Sequence, residues 1–339
     1  MSQTTTSQDS MVQTPPSQEI QEDTNGKSLS IVTTFPPLYA HTANLIDDND
    51  TITNLVPPGT SVHFRQPKPS DIIAMESADI IITNGLWLEE FLEDYLDTLA
   101  DAWVVIVDTS EWIETIEFEH NDEEDWHEDH HEEDNHDEEE HHEEHEDEDH
   151  HEVENSHTGE HDDHDEHHHH HEGPDPHIWL DTDNVTIQSA TITQALIDLD
   201  PSQEAVYTDT LNTYQTSIQL LDEEIQAMRE GKEIAPFVVF HDAYQYFLKA
   251  YDLADAQVGL VQEFHGDNPS QQEIAELIET IETQWVQTIF TEPQFNPTIV
   301  QRLTTETWVT AKEIDPIGTE LSKTWYITMM QTLAGAFVQ

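Results

Sequence analysis

The chain has 339 residues, with 9 Lys+Arg against 74 Asp+Glu and no cysteine. A net charge of −65 repels nucleic-acid phosphates and anionic membrane surfaces and favours small cations as partners. Without thiolates, any tight transition-metal site must be built from histidine and carboxylate.

Residues 1–27 are polar, lack the apolar core of an export signal, and read as a flexible tether. No run of about 18 apolar residues is present to span a membrane. From Ser28 the pattern changes. SIVTTF and TITNLV read as strands, with helical spacing over residues 37–46 between them and the turn signal PPGT after the second. PSDIIAMES has a helix start, with Ser70 as the expected cap after Pro69. DIIITNG and WVVIVD follow as buried strands around the amphipathic helix LEEFLEDYLDTL. This alternation predicts a parallel sheet with helices on both faces.

The pattern breaks at Glu117. Residues 117–173 form a low-complexity insertion with 29 acidic residues, 18 histidines and no Lys or Arg. Such a stretch has too little apolar surface to offset its ordering entropy, so disorder is expected there. The rest of the chain still carries 45 acidic residues against 9 basic. That excess fits a protein working in high salt, where counterions screen self-repulsion.

The fold resumes at DPHIWLD. Helical periodicity covers residues 183–198 and 201–230, the second about 45 Å long at 1.5 Å per residue. PFVVF, the helix AYQYFLKAY, the helix PSQQEIAELIETIETQW, the strand QTIFTE, a helix from Pro297, the strand VTAKEI and a final helix complete a second series. The expected architecture is α/β, with two lobes, each a parallel sheet flanked by helices. An N-terminal lobe (28–200) and a C-terminal lobe (234–339) would be joined by a long rigid linking helix (201–233).

Outside the insertion only His41, His63, His177, His241 and His265 remain. His63 and His241 follow strands, His177 stands where the chain re-enters the fold, and Asp315 follows VTAKEI. Ligands of open α/β sheets bind beyond the carboxyl ends of the strands. Two lobes contributing such residues would close around one cation. Three imidazoles and one acid suit zinc, whereas magnesium and calcium take oxygen ligands. Taken singly, each histidine also fits a solvated strand end, and Asp315 before Pro316 fits a turn residue.

GTSVHFRQPKPSDI, GPDPHIWLD, FVVFHDAYQYF, TEPQF and IDPIG occur in the order seen in the metal-binding cluster of ABC-transporter solute-binding proteins. The chain resembles the zinc-uptake branch of that family over roughly residues 28–339. The resemblance implies two lobes joined by a rigid helix, with the metal between them and an acidic, histidine-rich loop before the DPH motif. It implies His63, His177 and His241 as imidazole ligands and Asp315 as the completing carboxylate. Val62 stands where relatives have Pro or a carboxylate, which shifts weight to Asp315 or a bound water. His265 lies where relatives usually have no ligand. His41 is expected to be structural, Asp242 a helix cap, and Glu292 a partner that orients a ligand imidazole.

The implied function is non-enzymatic: an extracytoplasmic, monomeric protein that captures Zn²⁺ and passes it to an ABC-transporter membrane permease, without nucleic acid. Three other readings remain open at this level. One is a manganese or iron member of the family, and another is a stand-alone zinc store or chaperone. The third is a metalloenzyme, against which stands the lack of an H-E-x-x-H motif or a clearly placed base.

Overall fold

The computed structural model describes residues 27–63, 65–117, 173–262 and 268–338. Residues 1–26 of the expected tether, 118–172 of the insertion, and His265 lie outside them. Both sheets are parallel, four-stranded and built in one strand order. β1 (Ser30–Thr33), β2 (Thr51–Asn54), β3 (Ile80–Thr83) and β4 (Val105–Asp108) are arranged β2-β1-β3-β4. β5 (Phe237–Val239), β6 (Gln257–Leu260), β7 (Thr288–Thr291) and β8 (Thr310–Glu313) are arranged β6-β5-β7-β8. In register, Ile31 pairs with Ile52 and Ile80, and Ile289 with Val238 and Ala311.

The central strands read as unbroken apolar runs because both of their faces are buried. Ile31, Ile80 and Ile82 point into a central core, while Val32 and Ile81 point outward into a second cluster with Met75, Leu92 and Leu99. The other lobe repeats this. Phe237, Val239 and Phe290 face the central core, and Val238 and Ile289 face Ile274, Leu277 and Leu303.

The outer layers are α2 (Pro69–Glu76) and α3 (Glu93–Asp101) on the first sheet, and α7 (Gln271–Thr283) and α8 (Thr298–Glu306) on the second. The central layer holds α1 (Pro36–Leu45), α4 (Thr182–Leu199), α5 (Glu204–Arg229) and α9 (Trp325–Phe337), with the short α6 (Gln245–Ala250). α5 is the expected long helix, 26 residues and so about 39 Å. It buries one stripe, Tyr207, Tyr214, Ile218, Leu221 and Ile225, and packs against α1, α4 and α9. A helix buried along one stripe by partners from both lobes resists bending.

His41 has the structural role expected of it. It is fully buried in α1, its Nδ1 lies 2.7 Å from the Tyr214 hydroxyl, and its ring meets Tyr326 edge-on at 4.7 Å. Burial pushes its pKa down to about 3, so it is a neutral pin between α1, α5 and α9.

Three local expectations differ from the fold. Lys68, not Ser70, occupies the N-cap of α2. Pro69 takes the first helical position, where its fixed φ suits the helix and its missing N–H costs nothing. The Asp71 carboxylate then accepts the Lys68 N–H at 2.9 Å and pairs with the Arg65 guanidinium at 2.5 Å. Asp242 does not cap α6, whose N-cap is Tyr244; it accepts the Gln245 side chain instead. Finally, β6 has no counterpart in the sequence reading. It is a short edge strand containing Gly259, where a Cβ would come within 2.9 Å of Leu277 Cδ1 and hold α7 off the sheet.

Candidate metal centre

The carboxyl ends of both sheets converge, and His63, His177, His241, Glu292 and Asp315 lie there. His63 is in the loop after β2, His241 two residues after β5, Glu292 directly after β7 and Asp315 two residues after β8. His177 stands at the start of a 3-10 turn, Ile178–Leu180, whose three side chains are all fully buried. The turn is anchored from the other lobe. Trp179 Nε1 donates to the Pro316 carbonyl at 2.8 Å, and the Tyr326 hydroxyl donates to the Trp179 carbonyl at 2.9 Å.

The re-entry itself is pinned where the insertion leaves and returns. Glu117 and Pro174 form an antiparallel bridge, the Asp175 N–H donates to the Ile116 carbonyl at 2.7 Å, and the Tyr246 hydroxyl donates to the Asp175 carbonyl at 2.9 Å. These contacts fix Glu117, Pro174 and Asp175 on either side of the insertion.

His63, His177 and His241 each present a ring nitrogen within 4.8 Å of the others. The Nε2 atoms of His177 and His241 are 3.3 Å apart. A tetrahedral zinc with bonds of about 2.0–2.1 Å separates its nitrogens by about 3.3–3.4 Å. His177 and His241 are buried, and His63 is half-buried on the open side.

What aims the Nε2 atoms is a pair of buried carboxylates. His177 Nδ1 is 2.6 Å from Asp175 Oδ1, which also accepts the His177 N–H at 2.9 Å. His241 Nδ1 is 2.6 Å from Glu292 Oε1. With each Nδ1 proton held by a carboxylate, two Nε2 lone pairs face each other across 3.3 Å, and only a proton or a metal ion between them relieves the repulsion. This carboxylate–histidine pairing also fixes the tautomer and raises ligand basicity.

Titration follows from the same contacts. Burial depresses His177 well below its usual range, aided by His241, and lifts Asp175 well above the usual carboxylate range. For His241, burial acts downward, but the charge and hydrogen bond of Glu292 outweigh it and the pKa rises. Burial also raises Glu292, against the stabilising pull of His241.

Glu292 occupies the orienting position expected from the sequence. Asp175 was missed, although a carboxylate two residues before a histidine, as in DPH, can reach both the histidine N–H and its ring. Asp315 is not among the three residues whose ligand atoms lie within 4.8 Å of one another. Its Oδ1 accepts Gln294 Nε2 at 2.8 Å and the N–H groups of Ile317 and Gly318, both at 3.0 Å. Its Oδ2 is buried and accepts no hydrogen bond from the described residues.

Two parallel α/β lobes on a long helix, with a buried imidazole cluster between their strand ends, define a metal-binding solute-binding protein of the ABC-transporter kind. The zinc-uptake complex component A periplasmic family, ZnuA, matches residues 31–339, and the chain belongs to it. The high-affinity zinc uptake system protein ZnuA of Brucella abortus (strain 2308) is 31% identical over 302 residues, covering 87% of this chain and 86% of that protein. The manganese-binding lipoprotein MntA of Halalkalibacterium halodurans is 26% identical over 320 residues, covering 93% and 89%. A crystal structure of a zinc-bound ZnuA deletion mutant matches with a TM-score of 0.70 at 21% identity, covering 92% of this chain and 97% of that one. The family serves metal transport and is not a family of enzymes, in line with the expectation from sequence.

Proposed function

We propose that this protein captures Zn²⁺ outside the cytoplasm, holds it with His63, His177 and His241, and delivers it to an ABC-transporter permease as a monomer. Asp315 supplies the fourth ligand in this reading, through its buried Oδ2. The observation that carries the proposal is the pair of Nε2 atoms 3.3 Å apart, each backed by a buried carboxylate on its Nδ1. Neutral imidazole is a borderline ligand that favours zinc over harder ions. The zinc uptake name of the Brucella relative supports the same metal.

The manganese-binding relative gives a second reading its support. A site with one carboxylate and three imidazoles bears against it, since zinc stands well above manganese in the usual order of divalent affinity. Competitive titration of the purified protein with a zinc chelator, with and without manganese, tests the choice. Zinc should win by orders of magnitude; equal occupancy by the two metals would remove the zinc assignment. Release would follow from small lobe and loop movements rather than wide hinge closure, because α5 is packed along its length.

A further inference from the structure

We infer that Glu89 is a positioning residue for His177: it braces the loop after β3, and that loop holds the Pro176 carbonyl one residue before the ligand. The inference rests on the metal reading above. Glu89 is 7% exposed and lies outside the imidazole cluster. Its Oε1 accepts the Thr34 hydroxyl and the Asn84 N–H, both at 2.7 Å, and its Oε2 accepts the Gly85 N–H at 3.1 Å. Asn84, fully buried, turns its side chain the other way and donates Nδ2 to the Pro176 carbonyl at 2.9 Å. The line Glu89–Asn84–Pro176–His177 joins the loop after β3 to a proposed metal ligand 88 residues beyond Glu89.

The loop needs such a brace. Gly85, Leu86 and Trp87 have φ of 84°, 55° and 63°, three left-handed residues in a row, two of them not glycine. Left-handed backbone in ordinary residues persists only where the surroundings enforce it. Trp87 is 64% exposed and adds little apolar anchoring. A Cβ at Gly85 would fall 2.0 Å from Asp108 Oδ1, so the loop is also seated hard against the end of β4. A buried carboxylate is a costly filler, and here its oxygens engage the N–H groups of Asn84 and Gly85, where the left-handed run begins.

Its ionisation gives the brace a signature. Burial lifts Glu89 to about 7 despite its three hydrogen bonds, and Asp108 at the end of β4 pushes in the same direction. Among the described residues facing it, Thr34 just after β1 and Asn84 and Gly85 after β3 carry no charge. Protonation removes the negative charge that these three donors stabilise and weakens each bond, so the brace loosens as the pH falls through about 7.

Zinc dissociation constants, measured by chelator competition on the full chain, test this in wild type, Glu89→Gln, Asn84→Leu and the double variant, with cobalt(II) absorption as a report of ligand geometry. Each single variant should bind zinc about ten- to a hundredfold more weakly and shift the cobalt spectrum. The double should be no weaker than Asn84→Leu alone, since both cut one line. Affinity between pH 6 and 8 should vary less steeply in Glu89→Gln than in wild type. Additive losses in the double variant, or wild-type affinity and spectrum in a folded Glu89→Gln, would overturn the inference. If Glu89→Gln does not fold, Thr34→Val removes one of the three bonds and should give a smaller loss of the same kind; unchanged affinity there overturns it too. A wild-type protein that binds no zinc tightly would defeat the metal reading itself, an outcome visible before any variant is compared.

Discussion

His177 and His241 come from different lobes, 64 residues apart in the chain, yet their Nε2 atoms lie 3.3 Å apart, each ring held from behind by its own carboxylate. The separation matches an edge of a zinc tetrahedron, and the carboxylates remove the rotational freedom a ligand would otherwise lose on binding. In the proposed reading, tight binding would come from rings set in place before the metal arrives.

The defined site should survive loss of the insertion. Excising residues 120–171 leaves the Glu117–Pro174 bridge and the Asp175 contacts in place. Calorimetric titration should then show several weak zinc equivalents gone and one tight one kept. His177→Ala with the insertion intact should show the reverse. A deletion variant lacking the tight equivalent would place the site in the histidine run.

Asp315→Asn keeps the acceptor that builds the Ile317–Gly318 turn and removes the charge from the unpaired oxygen. Zinc affinity should drop by about tenfold or more with little change in melting temperature of the metal-free protein. Wild-type affinity in this variant would make water or Glu292 the better fourth partner.

Asp175→Asn and Glu292→Gln should each cost about ten- to a hundredfold in zinc affinity. Neither residue need touch the metal; each amide fails to stabilise the positive charge that a bound cation places on the imidazole. Equal affinities across both variants and wild type, measured with the same competing chelator, would show that the pairing is incidental.

Affinity should fall with acid, and the sign follows from His241. Its pKa is raised by Glu292 above the ordinary 6.5, against the effect of burial. A proton therefore competes with zinc at His241 already above pH 6.5, and the competition grows as pH falls. Above the raised pKa this penalty vanishes. Titration in buffers of different ionisation enthalpy near pH 7 should reveal proton release on zinc binding, increasing toward lower pH. Release that stays at zero between pH 6 and 7.5 would contradict this assignment.

Bound metal should stabilise the fold by mass action. At free zinc about a hundred times the dissociation constant, the gain is about 2.7 kcal/mol, visible as a rise in melting temperature that a chelator reverses. His241→Ala should show no such rise at the same zinc concentration.

Much of this protein is set by local pattern. The apolar runs at Ile31, Ile80 and Val238 and the helical stripes between them specify parallel sheets buried on both faces, because period and burial are properties of adjacent residues. His63, His177, His241 and Asp315 were legible for a related reason: each follows a strand or a re-entry motif, and strand ends are where such folds bind ligands. Other features depended on distant partners. β6 is short and carries Gly259, so its strand character comes from pairing with β5 and from the close approach of α7. Ser70 and Asp242 have the chemistry of caps, but Pro69 and the path into α6 placed the caps elsewhere. The carboxylate backing of His177 by Asp175 and the brace of Glu89 on Asn84 are matters of atoms within 3 Å, and only the packed core decides which buried oxygen meets which nitrogen. Sequence determined where the candidate residues stand along the chain; the tertiary structure decided that two lobes bring the Nε2 atoms of His177 and His241 to 3.3 Å from one another, because that distance is fixed by side chains no local pattern connects.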